Sequence, residues 1–215
     1  SMLSELPDDM KEAQSFGISF FAGEAEDARF DEVLLDAAAG ALKPLYDHVR
    51  NTPNRAGSPI PLLERTQLNK TYGRVASFDL GRGCPFECSF CTILNVQGRK
   101  SRFRTPDDLE KIIRENAKIG INKFFLTDDN FLRNKQWEAF LDRIIELQAD
   151  GLHIVMMIQV DTLAHKVKGF IEKCTKAGAD QIFIGLENIN SDSLEFVKKR
   201  QNRIEDYREM FLAWK

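Results

Sequence analysis

Histidine and cysteine are both scarce in this chain, with three of the first and four of the second among 215 residues. His153 and His165 stand apart from other ligand types, which argues against a second metal site and makes both structural. No apolar run is long enough to span a bilayer, and no targeting segment is visible, so neither a membrane span nor export is expected. With no signal peptide visible, and three of the four cysteines crowded into one run, a disulfide framework is not expected. Neither sign of charge dominates: 30 Lys+Arg against 33 Asp+Glu leave a net −3, and nothing overall argues for nucleic acid. A hydrophobic content of 43% at this length suits one sizeable core with something left over.

Three of the cysteines fall in one short run, Cys84-Pro85-Phe86-Glu87-Cys88-Ser89-Phe90-Cys91. This spacing lets one loop wrap a face of a compact iron–sulfur cluster, whose irons require thiolate ligands. Three ligands do not close a four-iron cube, so one iron keeps a free position, as a catalytic zinc does. A zinc ribbon would need a second ligand pair. Cys174, the remaining cysteine, has no neighbouring Cys or His and sits at helical spacing from Phe170, as a buried small hydrophobe would.

From about Tyr72 the chain alternates short β-rich runs with amphipathic stretches, the pattern of βα units around a parallel sheet. Strands are expected at 74–80, 123–127, 153–159 and 181–186. The first delivers the chain into Gly81-Arg82-Gly83-Cys84, placing the cysteine loop at a strand's C-terminal end, where ligands collect in α/β folds. A helix is expected from Thr105-Pro106-Asp107-Asp108, with hydroxyl cap, proline at N1 and early acids. Others carry Trp137 to Ile145, Phe170 to Cys174, and Ile204 to Trp214. Ahead of these, 16–22 reads as a strand and the residues through Ala38 as a helix. The stretch rich in Pro53, Gly57, Pro59 and Pro61 reads as a linker. The expected division is a strand–helix remnant over 3–50, a linker over 51–71 and a core over 72–215.

The Cys-x-x-x-Cys-x-x-Cys run with Phe90 before its last cysteine, after a first strand and ahead of βα units, resembles the radical S-adenosylmethionine (SAM) superfamily. Further segments resemble the subgroup that usually carries an N-terminal cobalamin-binding domain. They are Gly-Glu-Ala-Glu at 23–26, the basic run 99–104, Thr127-Asp128-Asp129-Asn130-Phe131, Gln159-Val160-Asp161-Thr162-Leu163 and Gly185-Leu186-Glu187-Asn188-Ile189-Asn190. The resemblance implies an α/β fold: a partial (β/α) barrel with about four βα units readable here, C-terminally truncated, behind a short N-terminal α/β remnant. No Asp-x-His-x-x-Gly run occurs, so cobalamin is expected only on a full-length parent.

The resemblance further implies that Cys84, Cys88 and Cys91 hold a 4Fe-4S cluster whose free iron takes the amino and carboxylate groups of SAM. Reductive cleavage then gives methionine and a 5′-deoxyadenosyl radical that abstracts hydrogen from substrate. The protein supplies position, dryness and electrostatics. Family members often place Gly-Gly-Glu after the second strand; here Asp128, Asp129 and Asn130 stand in that place, and either aspartate suits the ammonium. A capped turn is the structural alternative. Gln159 and Glu187, at equivalent strand ends, suit ribose hydroxyls or substrate, or else a salt bridge to Arg82 or Lys123. Phe90 suits cluster or adenine packing, or plain core. Arg99, Lys100, Arg102 and Arg104 read first as a solvated charge run.

The leading function is a radical methyltransferase, cyclase or related modifier of a small or lipid-like molecule. A transfer-RNA methylthiotransferase and a fragment that binds a cluster or merely folds, without turnover, stand as alternatives. The implied partners are a flavodoxin- or ferredoxin-type reductant and a small-molecule substrate. The oxygen sensitivity of an exposed cluster points to the cytoplasm of a well-reduced cell.

Overall fold

A computed structural model of the chain describes residues 7–49, 51–60, 62–70 and 74–215. Residues 3–6 and 50 of the expected N-terminal unit, 61 and 71 of the linker and 72–73 of the core lie outside them. The chain opens with α1 (Pro7–Ser15), β1 (Phe20–Ala22), α2 (Arg29–Ala38) and β2 (Leu45–Asp47), and the two strands pair in parallel. The first strand is thus shorter than the expected 16–22. Phe16 and Ile18 stay exposed beside it, and their N–H groups donate to the Ala13 carbonyl in the turn that ends α1.

After α3 (Arg65–Leu68) comes β3 (Val75–Phe78), followed by β4 (Gly81–Arg82), α4 (Ile93–Val96) and β5 (Arg102–Phe103). The βα alternation then runs α5 (Pro106–Lys118), β6 (Lys123–Leu126), α6 (Trp137–Ala149), β7 (Val155–Val160), α7 (Phe170–Lys176) and β8 (Ala179–Ile184). Two helices close the order, α8 (Ser191–Phe196) and α9 (Tyr207–Ala213). Strands β3, β6, β7 and β8 form one parallel sheet in that spatial order, which does not close into a barrel among the described residues. All four strands expected in the core are there, each within two residues of its expected limits.

Alternation along the strands sorts the two sheet faces. Phe78, Phe124, Leu126, Met156 and Ile158 are buried in a core with Leu109, Ile112 and Ile113 of α5 and Phe140, Leu141 and Ile144 of α6. Ser77, Phe125, Met157, Gln159 and Phe183 alternate with them, none of them buried. Helix α5 starts where its cap requires: the Thr105 hydroxyl accepts from the Asp108 N–H at 3.1 Å, and the Asp108 carboxylate accepts from the Thr105 N–H at 2.8 Å. Phe170 anchors α7 beneath Trp137 and Trp214, with ring centroids 5.0 and 6.1 Å away. Cys174 is buried in the same core, and burial pushes its thiol up to about 12. No helix among the described residues is long and apolar enough to cross a membrane.

The turn-rich stretch after residue 50 is docked by buried charge. Arg55, 1% exposed, donates to Glu26 and to both carboxylate oxygens of Asp79, each at 2.9 Å. Arg82 bonds Asp79 at 2.8 Å and Glu24 at 2.6 Å, while Arg102 bonds Glu24 and the Pro53 carbonyl. Arg104 donates to the carbonyls of Asp79, Ser58 and Pro59. The reading of 99–104 as a solvated run is therefore corrected: Arg99 and Lys100 are exposed, but Arg102 and Arg104 point inward. The reason is local. The antiparallel β4–β5 pairing turns this segment against the acidic Gly-Glu-Ala-Glu stretch, and paired guanidiniums tolerate burial.

Candidate metal centre

The cysteine loop is an excursion between β4 and β5, so the pairings Gly81↔Phe103 and Arg82↔Arg102 fix both of its ends. Gly83, at φ +93°, admits no other residue: a Cβ there would lie 2.8 Å from the Lys100 carbonyl oxygen. Its N–H donates to Gln97 Oε1 at 3.0 Å. Within the loop the Cys91 N–H donates to the Cys88 carbonyl at 3.0 Å, and the Ser89 N–H reaches the Val197 carbonyl at 2.9 Å.

Cys84, Cys88 and Cys91 carry free thiols and line one open cavity of about 330 Å³ at the C-terminal end of the sheet. Burial holds the Cys84 thiol above its ordinary value, and the Asp129 carboxylate and the Cys91 and Cys88 sulfurs act in the same direction. Among the described residues no three His, Cys, Asp or Glu side chains are gathered as one metal ion would need. A cluster asks for a wider set, with each thiolate on a different iron.

The structure separates the two aspartates. Asp128 is 2% exposed, lies outside this cavity, and accepts the Leu80 N–H at 2.7 Å. Burial pushes its carboxyl up to about 7. Asp129 lines the cavity, and its Oδ2 is buried without a hydrogen-bond partner; the same holds for Asn130 Oδ1. Burial also raises the Asp129 carboxyl, against the opposing pull of the Gly83 N–H and Arg82. Asn130 is held by donating to Asp161 at 2.9 Å, which Arg133 pairs at 2.6 Å.

Gln159 lines the cavity and donates to the Asp128 carbonyl at 3.4 Å. Phe90 lines it too and is 53% exposed, so plain core packing does not describe it. Glu187 does not line the cavity. It pairs with Lys199 at 2.6 Å, not with Arg82 or Lys123. Lys199 and Gln201 are the residues that sequence reasoning passed over. Both line the cavity; Lys199 is 7% exposed, with Nζ 5.7 Å from the Phe90 ring centroid. Gln201 Nε2 lies 3.5 Å from the Cys88 sulfur. Their segment carries no periodic signal, and Lys198-Lys199-Arg200 looks like any surface charge run.

Comparison with known proteins fits this geometry. The family model of the radical SAM superfamily matches residues 79–215. The chain belongs to this superfamily. Bacteriochlorophyllide d C-8(2)-methyltransferase of Chlorobaculum tepidum is 29% identical to this radical SAM chain, covering 92% of it and 46% of the relative. Hopanoid C-2 methylase of Rhodopseudomonas palustris is 26% identical over 84% of the chain and 35% of its own length. An uncharacterized methyltransferase of Synechocystis, sll1242, is 26% identical over 93% of the chain and 37% of its own length. The chain thus spans less than half the length of these relatives.

Among solved structures, the cobalamin-dependent SAM radical enzyme OxsB matches with a TM-score of 0.60 at 17% identity, over 88% of this chain and 31% of that one. The radical SAM methyltransferase TsrM of Kitasatospora setae, solved with tryptophan and a SAM analogue, matches at 0.57 and 19% identity, over 65% and 28%. At such identities the likeness is one of fold. Membership implies a 4Fe-4S cluster and SAM, and the residues present suit both: three thiols share one cavity with Asp129 and Asn130, each of which keeps a buried side-chain oxygen without a hydrogen-bond partner.

Proposed function

We propose that the chain is the cluster-bearing core of a radical enzyme that modifies a small or lipid-like substrate by methyl transfer, cyclisation or a similar step. The observation that carries this reading is the meeting of three free thiols with Asp129, Asn130 and buried Lys199 on one cavity. Cys84, Cys88 and Cys91 would hold the cluster. When bound, the cluster and SAM together supply a one-electron cleavage of the sulfonium that yields a carbon-centred radical.

The chain's own residues bind and orient. Asp129 and Asn130 offer acceptors to the ammonium of SAM, and placing a cation there satisfies oxygens that are otherwise buried unpaired. Asp128, turned away, supports the loop through Leu80. Lys199 offers a donor to the carboxylate of SAM, and Glu187 positions it. Gln159 suits a ribose hydroxyl. Phe90 and Phe86 cover the loop with apolar surface, each facing a cation, Lys199 and Arg133 respectively.

The names of the relatives, which methylate bacteriochlorophyllides and hopanoids, support the substrate class. We place the four-stranded sheet in a partial (β/α) barrel, the reductant in the flavodoxin or ferredoxin class, the setting in a reduced cytoplasm, and cobalamin on a longer parent. The division into a 3–50 unit, a 51–71 connection and a 72–215 core belongs to the same proposal. Anaerobic reconstitution with iron and sulfide, then dithionite and SAM, tests it. The chain should form 5′-deoxyadenosine, and Cys84→Ala, Cys88→Ala and Cys91→Ala should not. A wild type that binds cluster and SAM without cleaving the cofactor would contradict the enzyme reading.

A further inference from the structure

The segment 197–202 reaches back to the cysteine loop from the far side of β8, and the proposed mechanism leaves one of its contacts unused. Gln201 and Cys88 are 113 residues apart in sequence, yet Gln201 Nε2 lies 3.5 Å from the Cys88 sulfur, the most buried thiol of the three. Little freedom remains for this contact to be incidental. Lys198 takes φ +57°, a turn that returns the chain toward the loop. The Val197 carbonyl accepts the Ser89 N–H at 2.9 Å, one residue beyond Cys88.

On the other flank, Asn202 fastens the segment to the sheet. It is 7% exposed and donates to the Gly185 and Leu186 carbonyls at 2.9 and 2.7 Å. The Thr162 hydroxyl, after β7, donates to Asn202 Oδ1 and to the Gln201 carbonyl. The Gln201 backbone is therefore held from both sides, with its amide directed at one sulfur.

We propose that Gln201 is a positioning and tuning residue of the metal centre: its side-chain N–H donates to the Cys88 sulfur and raises the reduction potential of the cluster. This rests on the reading that the three cysteines hold the cluster. Reduction adds negative charge that the thiolate sulfurs share, and a donor on a sulfur stabilises that state more than the oxidised one. Removing the donor lowers the potential. Replacing it with a carboxylate lowers it further, because an anion then faces the sulfur.

The test is a dye-mediated redox titration, followed by electron paramagnetic resonance, of the reconstituted chain and of Gln201→Leu and Gln201→Glu. At a fixed potential the ratio of reduced to oxidised cluster should fall roughly tenfold in Gln201→Leu, a midpoint about 59 mV lower for a one-electron couple, and more in Gln201→Glu. Coincident midpoints in wild type and Gln201→Leu would overturn the proposal. Loss of bound iron from both variants would make Gln201 an assembly or folding residue, which also overturns it. The two readings fail separately: a wild type that takes up no cluster contradicts the cysteine assignment, whereas a loaded wild type with unshifted variants contradicts the Gln201 assignment alone.

Discussion

Asp128 and Asp129 are neighbours in the chain with opposite surroundings, because the alternation of β6 continues past its end. Leu126 and Asp128 are buried, while Thr127 is exposed and Asp129 reaches the cavity. Replacing Asp129 by Asn should weaken SAM binding on the order of 10- to 100-fold, the effect of ~1.5–3 kcal/mol for a hydrogen bond to a charged group. Anaerobic calorimetry measures this, and Asp128→Asn should leave the affinity unchanged. Asp128→Asn carries a different signature. The folded-state pKa of Asp128 is about 7 against an ordinary 3.8, so folding favours the neutral form. That advantage is complete below pH 3.8 and is lost as the pH rises through about 7. The stability of wild type relative to Asp128→Asn should therefore decline between about pH 4 and pH 8. A pH-independent difference in urea denaturation would contradict the buried, charge-averse site. The sequence made the cysteines legible because their ligand pattern is local. It left Lys199 and Gln201 invisible because they arrive from a distant segment with no periodicity of its own.

At the scale of elements, the caps and stripes were readable and the ion network was not. Thr105, Pro106 and Asp108 specify the start of α5 by chemistry within four residues, and the structure keeps that cap. Strand β2 and helix α8 are too short, at three and six residues, for a period to register. The run at 99–104 was misread because charge alone does not say which partner waits across the fold. Arg102 and Arg104 find theirs in residues 24, 53, 58, 59 and 79. The network has a sharp mechanical consequence. Arg55→Leu would leave Glu26 and Asp79 short of a buried partner, and should destabilise the fold by about 3–5 kcal/mol, the range for breaking a buried pair from one side. Chemical denaturation reads this directly. A loss near that of an exposed pair such as Arg114–Asp150 would show that solvent screens the network.

At the scale of the whole molecule, the α/β class and the four parallel strands followed from the βα alternation, because parallel strands buried beneath helices read as apolar runs. The convergence of the site did not follow from it. The sheet gathers the ends of β6, β7 and β8 around a loop that leaves from β4, so residues from 84 to 201 share one cavity. If three thiols leave one iron open for SAM, the electron paramagnetic resonance spectrum of the reduced, reconstituted chain should respond as SAM is added. The cluster signal should change shape saturably with SAM in wild type and need more SAM in Asp129→Asn. A cluster signal indifferent to SAM, or a chain that retains zinc and takes up no iron, would contradict the open iron.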